Sequence, residues 1–146
     1  MKILIIYRHY WPDATSYAWI LKAVAERLAR DGHEVTVYAA QPSYNDLGRP
    51  PRPADETVGG GRVVRRALPP ARKTRLWTRV RGTVLFLGGA LAFALRMARI
   101  DLVLVNTTPA IAQGFAARVI ATLRRVPYVY NCQDLHPEAG LYGGKF

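Results

Sequence analysis

The chain has a single cysteine, Cys132, among its 146 residues, so no internal disulfide can brace it. Its three histidines, His9, His33 and His136, stand far apart and offer no zinc-ligand spacing, so no metal site is read here. Only ILIIY separates Lys2 from Arg8, short of the roughly 7 to 15 apolar residues of a signal peptide. A reducing cytoplasm is the expected setting. The turn after that first apolar run lacks glycine, and the second strand runs into Ala39-Ala40-Gln41-Pro42 with no acid, so the dinucleotide-binding fingerprint is missing. The sequence also contains neither G-x-x-x-x-G-K-[ST] nor G-x-S-x-G, which removes simple phosphate-loop NTPases and hydrolases with a nucleophile elbow. No cofactor is called for.

What is there is an alternation of strand-length apolar runs and helical stripes. Ile3 to Tyr7 is a continuous apolar run, as expected of a strand covered on both faces. Tyr17, Leu21, Val24 and Leu28 follow at helical spacing, with Thr15 or Ser16 to cap the start and Gly32 to end the helix. Glu34 to Ala39 makes a second strand and completes a βαβ unit. Residues 41–61, with Gly48-Arg49-Pro50-Pro51-Arg52-Pro53 and Gly59-Gly60-Gly61, read as an exposed flexible loop. Then come a strand over Arg62 to Leu68, a long helix over Lys73 to Arg99, and a strand over Leu102 to Val105. A helix opened by Thr108-Pro109 and closed by Arg124-Arg125 leads to a fifth strand, Tyr128 to Cys132. The pattern predicts one α/β domain over residues 1–146, a Rossmann-like, doubly wound parallel sheet.

In such a sheet ligands bind beyond the carboxyl ends of the strands, so the two polar loops that follow apolar strands are the candidate site. The first carries His9, Tyr10, Trp11, Asp13 and Thr15; the second carries Asp134, His136 and Glu138. Asp134 can orient or deprotonate a substrate hydroxyl, or stabilise positive charge developing at a reacting carbon, and its bland alternative is an Asx turn. His136 and Glu138 can act beside it or simply face solvent. His9, Asp13 and Thr15 can contact substrate, although Thr15 and Asp13 are equally suited to capping the helix. Tyr10 and Trp11 offer flat apolar faces on which a substrate ring can stack, or fill the core. Asn106 and Thr107 end the fourth predicted strand on the same edge, for ligand contact or for capping.

Charge is concentrated. From Thr57 to Ile100 there is no acid, and ten arginines and lysines fall there, against a net charge of +11 for the whole chain. A partner drawn by that charge is therefore expected to meet a single surface. Arg72, Lys73, Arg75, Trp77, Arg79 and Arg81 precede thirteen uncharged residues, Thr83 to Leu95. That is ~20 Å of helix against a hydrocarbon core of ~30 Å, so this stretch does not span a bilayer but can lie on an anionic leaflet. The plainer reading turns Leu76, Val80, Leu87, Leu91 and Leu95 to the sheet and leaves the arginines hydrated.

Taken together, KILIIYRHYWPD, RDGHEVTVYA, DLVLVNTTP and VPYVYNCQDLHPE resemble the N-terminal, acceptor-side domain of family 4 glycosyltransferases of the GT-B fold, closest to the bacterial branch that builds envelope glycans. The resemblance spans nearly the whole chain. It implies a retaining, metal-independent transferase taking a sugar from a nucleotide-sugar donor to an envelope-glycan or lipid-linked acceptor, working in the cytoplasm or peripherally on the inner face of the cytoplasmic membrane. It also implies a second, donor-binding domain that these residues lack, so that the chain alone is expected to be inactive. Many members carry a glycine pair where this chain has Asp13-Ala14-Thr15-Ser16-Tyr17, and the backbone contact to the donor phosphate that goes with that pair is not implied here. Two rival readings are a non-catalytic carbohydrate or nucleotide-binding module and a polyanion binder. The second lacks interleaved aromatics beyond Trp77 and any recognised nucleic-acid motif, so no specific nucleic acid is expected.

Overall fold

Ile3, Leu4, Ile5 and Ile6 are at most 2 % exposed, because the strand they form is covered on both faces. The computed structural model describes residues 1–42, 50–69, 76–107 and 110–132. Its elements run β1 (Lys2–Ile6), α1 (Ser16–Arg30), β2 (Glu34–Ala40), β3 (Asp55–Val58), β4 (Gly61–Arg66), α2 (Leu76–Arg96), β5 (Leu102–Asn106), α3 (Ala110–Arg124) and β6 (Tyr128–Asn131). The strands form one sheet in the order β3-β4-β2-β1-β5-β6. All neighbours are parallel except β3, which pairs antiparallel with β4. Strand order reverses between β1 and β5, so the sheet is the Rossmann-like doubly wound sheet expected, with its switch point there.

Each face has its own core. On one, Leu21 and Ala25 of α1 pack with Ile3, Ile5, Val35, Val37 and Val63. On the other, Phe86, Ala90 and Ala94 of α2 and Ala117 and Ile120 of α3 meet Leu4, Ile6, Tyr38, Val103 and Val105. The Tyr38 ring lies against both Phe86 and Phe93, with centroids 5.4 and 5.3 Å away.

Thr15 caps α1, its hydroxyl accepting from the Ala18 amide at 3.2 Å, and Gly32 follows the helix at φ 84°. The buried face of α1 is Ala18, Leu21 and Ala25, while Val24 is 37 % exposed. At 100° per residue Val24 falls about 60° to one side of Leu21, away from Ala18 and Ala25, so it sits at the margin of the buried face.

Three expectations are corrected. Residues 41–61 are not loop throughout: β3 and β4 form a hairpin closed by Gly59 and Gly60, at φ 57° and 84°. Two consecutive positive φ values suit the tight turns that match strand twist, so the glycines close a hairpin there. On α2 the sheet-facing stripe is Gly82, Phe86, Ala90 and Ala94, whereas Val80 and Leu95 are 43 % and 46 % exposed. Finally, the described cations of the basic segment do not meet one surface; Arg72, Lys73 and Arg75 lie outside the described residues. Arg62, Arg96 and Arg99 line a groove with Lys2 and Glu34 at the amino pole of the sheet. Arg66 ends β4 at the carboxyl pole, where α2 begins and carries Arg79 and Arg81.

Candidate functional site

Because β4, β2, β1, β5 and β6 run parallel, the segments that leave them gather on one edge of the sheet. Those leaving β1 and β5 flank the switch point, where the helices on either side diverge and leave a crevice. The β1 to α1 loop holds a close pair: His9 Nδ1 lies 2.8 Å from Asp13 Oδ2. The Asp13 side chain is 2 % exposed and that of His9 18 %. A carboxylate accepts, so the geometry places the proton on Nδ1 and turns Nε2 away from Asp13. The Trp11–Pro12 peptide between them is cis.

The far end of the crevice is tied to this loop. Asn131, the last residue of β6, donates from Nδ2 to the Tyr17 hydroxyl in the first turn of α1 at 2.7 Å. Burial raises the Tyr17 phenol above its ordinary value, opposed by that bond from Asn131. Asp134, His136 and Glu138 lie outside the described residues.

A polar network that the sequence did not disclose anchors the loop from the other side. Arg65 of β4, with no side-chain exposure, donates from Nε to Glu56 at 2.8 Å and from Nη2 to the Trp11 carbonyl. Glu56 comes from β3 and also accepts from Arg52 Nη2 at 2.6 Å. Burial alone would raise the Glu56 carboxyl, but the bonds from Arg52 and Arg65 outweigh it and hold it below its ordinary value. Arg52 is in turn clamped to the end of β2 by two bonds with Gln41, at 2.8 and 3.0 Å. The signal for this network was hidden in the assignment of residues 50–58 to a loop.

The structure corrects one candidate outright. Tyr10 is 1 % exposed within the α1-side core, and burial pushes its phenol up to about 12, so it is no platform for a sugar ring. Trp11 is partly exposed, with Lys22 Nζ and the Arg52 guanidinium 5.6 and 5.2 Å from its ring centre. Cations at those distances bind the ring's electron-rich face, and Trp11 also packs against the α1-side core. Thr15 is used as the helix cap. Asn106 and Thr107 are buried at the end of β5, 1 % and 4 % exposed.

Two residues of this edge were missed. Arg8, directly after β1, lies against Gly82 of α2, and its guanidinium is held below its ordinary value by burial, opposed by Asp13. Gln113 of α3 is fully buried and donates from Nε2 to the Ile6 carbonyl at 2.6 Å. Arg8 Nε, Asn106 Oδ1 and Gln113 Oε1 are buried without a hydrogen-bond partner among the described residues. Such atoms are costly unless something meets them. Among the described residues no group of His, Cys, Asp or Glu side chains is placed to hold a metal.

Among solved structures, the C-terminal domain of a hydrogenase from Pyrococcus furiosus is similar at TM-score 0.58 and 15 % identity over 89 % of each chain, a likeness of fold alone. No curated protein sequence matches. The glycosyl transferase 4-like domain matches residues 15–145, from the cap of α1 to beyond β6, and the chain belongs to that family.

Proposed function

We propose that this domain is the acceptor-side half of a retaining GT-B glycosyltransferase that moves a sugar from a nucleotide-sugar donor to an envelope-glycan or lipid-linked acceptor. The observation that carries the reading is the 2.7 Å bond from Asn131 to Tyr17, which ties the end of β6 to the first turn of α1, just after the loop that leaves β1. Family membership supports glycosyl transfer; the unpartnered buried atoms of Arg8, Asn106 and Gln113 support a polar ligand at the same edge. In this reading Asp13 orients His9 toward a sugar hydroxyl. Asp134 stabilises charge at the reacting carbon or takes the acceptor proton, with His136 and Glu138 beside it.

The test joins this domain to a donor-binding domain of the same family and follows sugar transfer from nucleotide sugars. Asp134→Ala is expected to lower kcat by about 10²- to 10⁴-fold. Turnover at the unsubstituted rate would remove the chemical role. The 146-residue chain alone is expected to transfer nothing.

A further inference from the structure

The acid-free run from Thr57 to Ile100 reaches the amino pole of the sheet twice, with Arg62 near the start of β4 and with Arg96 and Arg99 where α2 ends. Parallel strands begin at that same pole, so Lys2 of β1 and Glu34 of β2 stand there in register. Together these side chains line a groove of about 490 Å³, which Phe93 and Met97 also line. Both apolar residues pack against the α2-side core, and the Phe93 ring lies 5.3 Å from that of Tyr38. Small-molecule sites occupy ~300 to 1,000 Å³ and join an apolar wall to a few polar groups, and this groove has that size and that lining.

Its cations keep donors to spare. Arg99 gives Nε to Asp101 and leaves both terminal nitrogens uncommitted among the described residues. Arg62 gives Nε and Nη2 to Asp55 and leaves Nη1. Arg96 is exposed and has no hydrogen bond or ion pair among the described residues. Lys2 Nζ is held by Glu34 alone, at 2.9 Å. Four cations thus line the groove against the single carboxylate of Glu34, and counting Asp55 and Asp101 as well still leaves four against three. The negative end of the α2 dipole, which would repel an anion, is covered: Arg124 donates to the carbonyls of Leu95, Met97 and Ala98.

We infer that this groove is a second binding site, apart from the crevice, for a nucleoside phosphate. Three of its four cations are arginines, whose planar forks meet phosphate oxygens two at a time. Phe93 and Met97 supply apolar contact for a flat base, and Glu34, with lone pairs beyond those that Lys2 uses, accepts from a ribose hydroxyl. A bare oxyanion would leave the apolar wall unused, and an uncharged ring would leave the guanidinium groups unused. The five residues of β1 put about 17 Å of strand between this groove and the crevice, so a ligand here does not compete with one there.

Calorimetric titration of the 146-residue chain with ADP, at low salt so that charges are weakly screened, tests this. One ADP per chain is expected to bind with Kd below about 1 mM. Adenosine and inorganic pyrophosphate, each offering half of the contacts, are expected to bind at least ~10-fold more weakly. Arg96→Gln should weaken ADP about fivefold and Arg96→Gln with Arg99→Gln about 25-fold, both positions being exposed so that the circular dichroism spectrum is unchanged. Arg81→Gln, at the carboxyl pole, is the control and leaves binding intact. Amide resonances of Thr57, Gly60 and Ala98, which line the groove, are expected to shift on titration. Pyrophosphate binding as tight as ADP, equal loss in Arg81→Gln, shifts confined to the His9–Asp13 loop, a short DNA duplex bound more tightly than ADP at matched salt, or no binding at all would each overturn the inference. No sugar transfer is measured, so the outcome is independent of the transferase reading.

Discussion

Burying a carboxylate is costly unless donors meet it, and His9 Nδ1 at 2.8 Å meets Asp13. Hydrogen bonds to charged groups contribute about 1.5 to 3 kcal/mol, so Asp13→Asn, which keeps the shape and removes the charge, is expected to lower kcat/KM of the two-domain enzyme by about 10- to 100-fold. Steady-state kinetics with the donor held saturating checks this. Glu56 holds the buried Arg65, whose side chain has no exposure. Removing one partner of a buried pair costs about 3 to 5 kcal/mol, so Glu56→Ala should lower stability by about that much in urea unfolding. The candidate loop was legible because a polar run directly after an apolar strand belongs at a sheet edge. The roles of Tyr10 and Arg65 were not, since a tyrosine can line a crevice or fill a core and an arginine can be hydrated or buried. Only its neighbours decide.

At the scale of elements, α2 holds two adjacent glycines in different surroundings. A side chain at Gly88 would meet nothing within 4 Å, whereas one at Gly89 would run into the Tyr38 hydroxyl. Gly88→Ala is expected to raise stability by up to ~1 kcal/mol through helix propensity alone. Gly89→Ala gains the same propensity, but Tyr38 is 4 % exposed and pinned by Phe86 and Phe93, so its ring cannot yield. Overpacking of about 1 to 3 kcal/mol exceeds that gain, and the melting temperature should fall. The two variants should therefore move thermal unfolding in opposite directions. Helix and strand existence was legible from periodicity, as for β1, α1 and β5. Strand β3 was not: Asp55-Glu56-Thr57-Val58 lacks an apolar run, and its pairing to β4 comes from the Gly59-Gly60 turn and from Arg62 and Arg65 reaching Asp55 and Glu56.

At the scale of the whole molecule, three carboxylates among the described residues are held below their ordinary values. Bonds from Arg62 lower Asp55, the Lys2 amide and then Arg99 lower Asp101, and Arg52 and Arg65 lower Glu56 against its burial. Each contributes stability above its unfolded value, 3.8 for the aspartates and 4.5 for Glu56, and that stability is lost as pH falls through the lower folded value. The urea midpoint should therefore fall as pH drops below about 4.5, and less steeply in Glu56→Gln. A midpoint that rises on acidification would contradict these pairings. By itself the sequence determined the alternation of elements, the parallel sheet and the edge where the polar loop after β1 lies, because hydrophobic period and turn chemistry are local properties of the chain. Only the tertiary structure decided that the basic segment divides between two poles, that β3 and β4 brace the first loop, and that α2 and α3 turn apolar side chains to the outside. Each of these depends on which distant segments share a face, and side-chain burial is set by that packing.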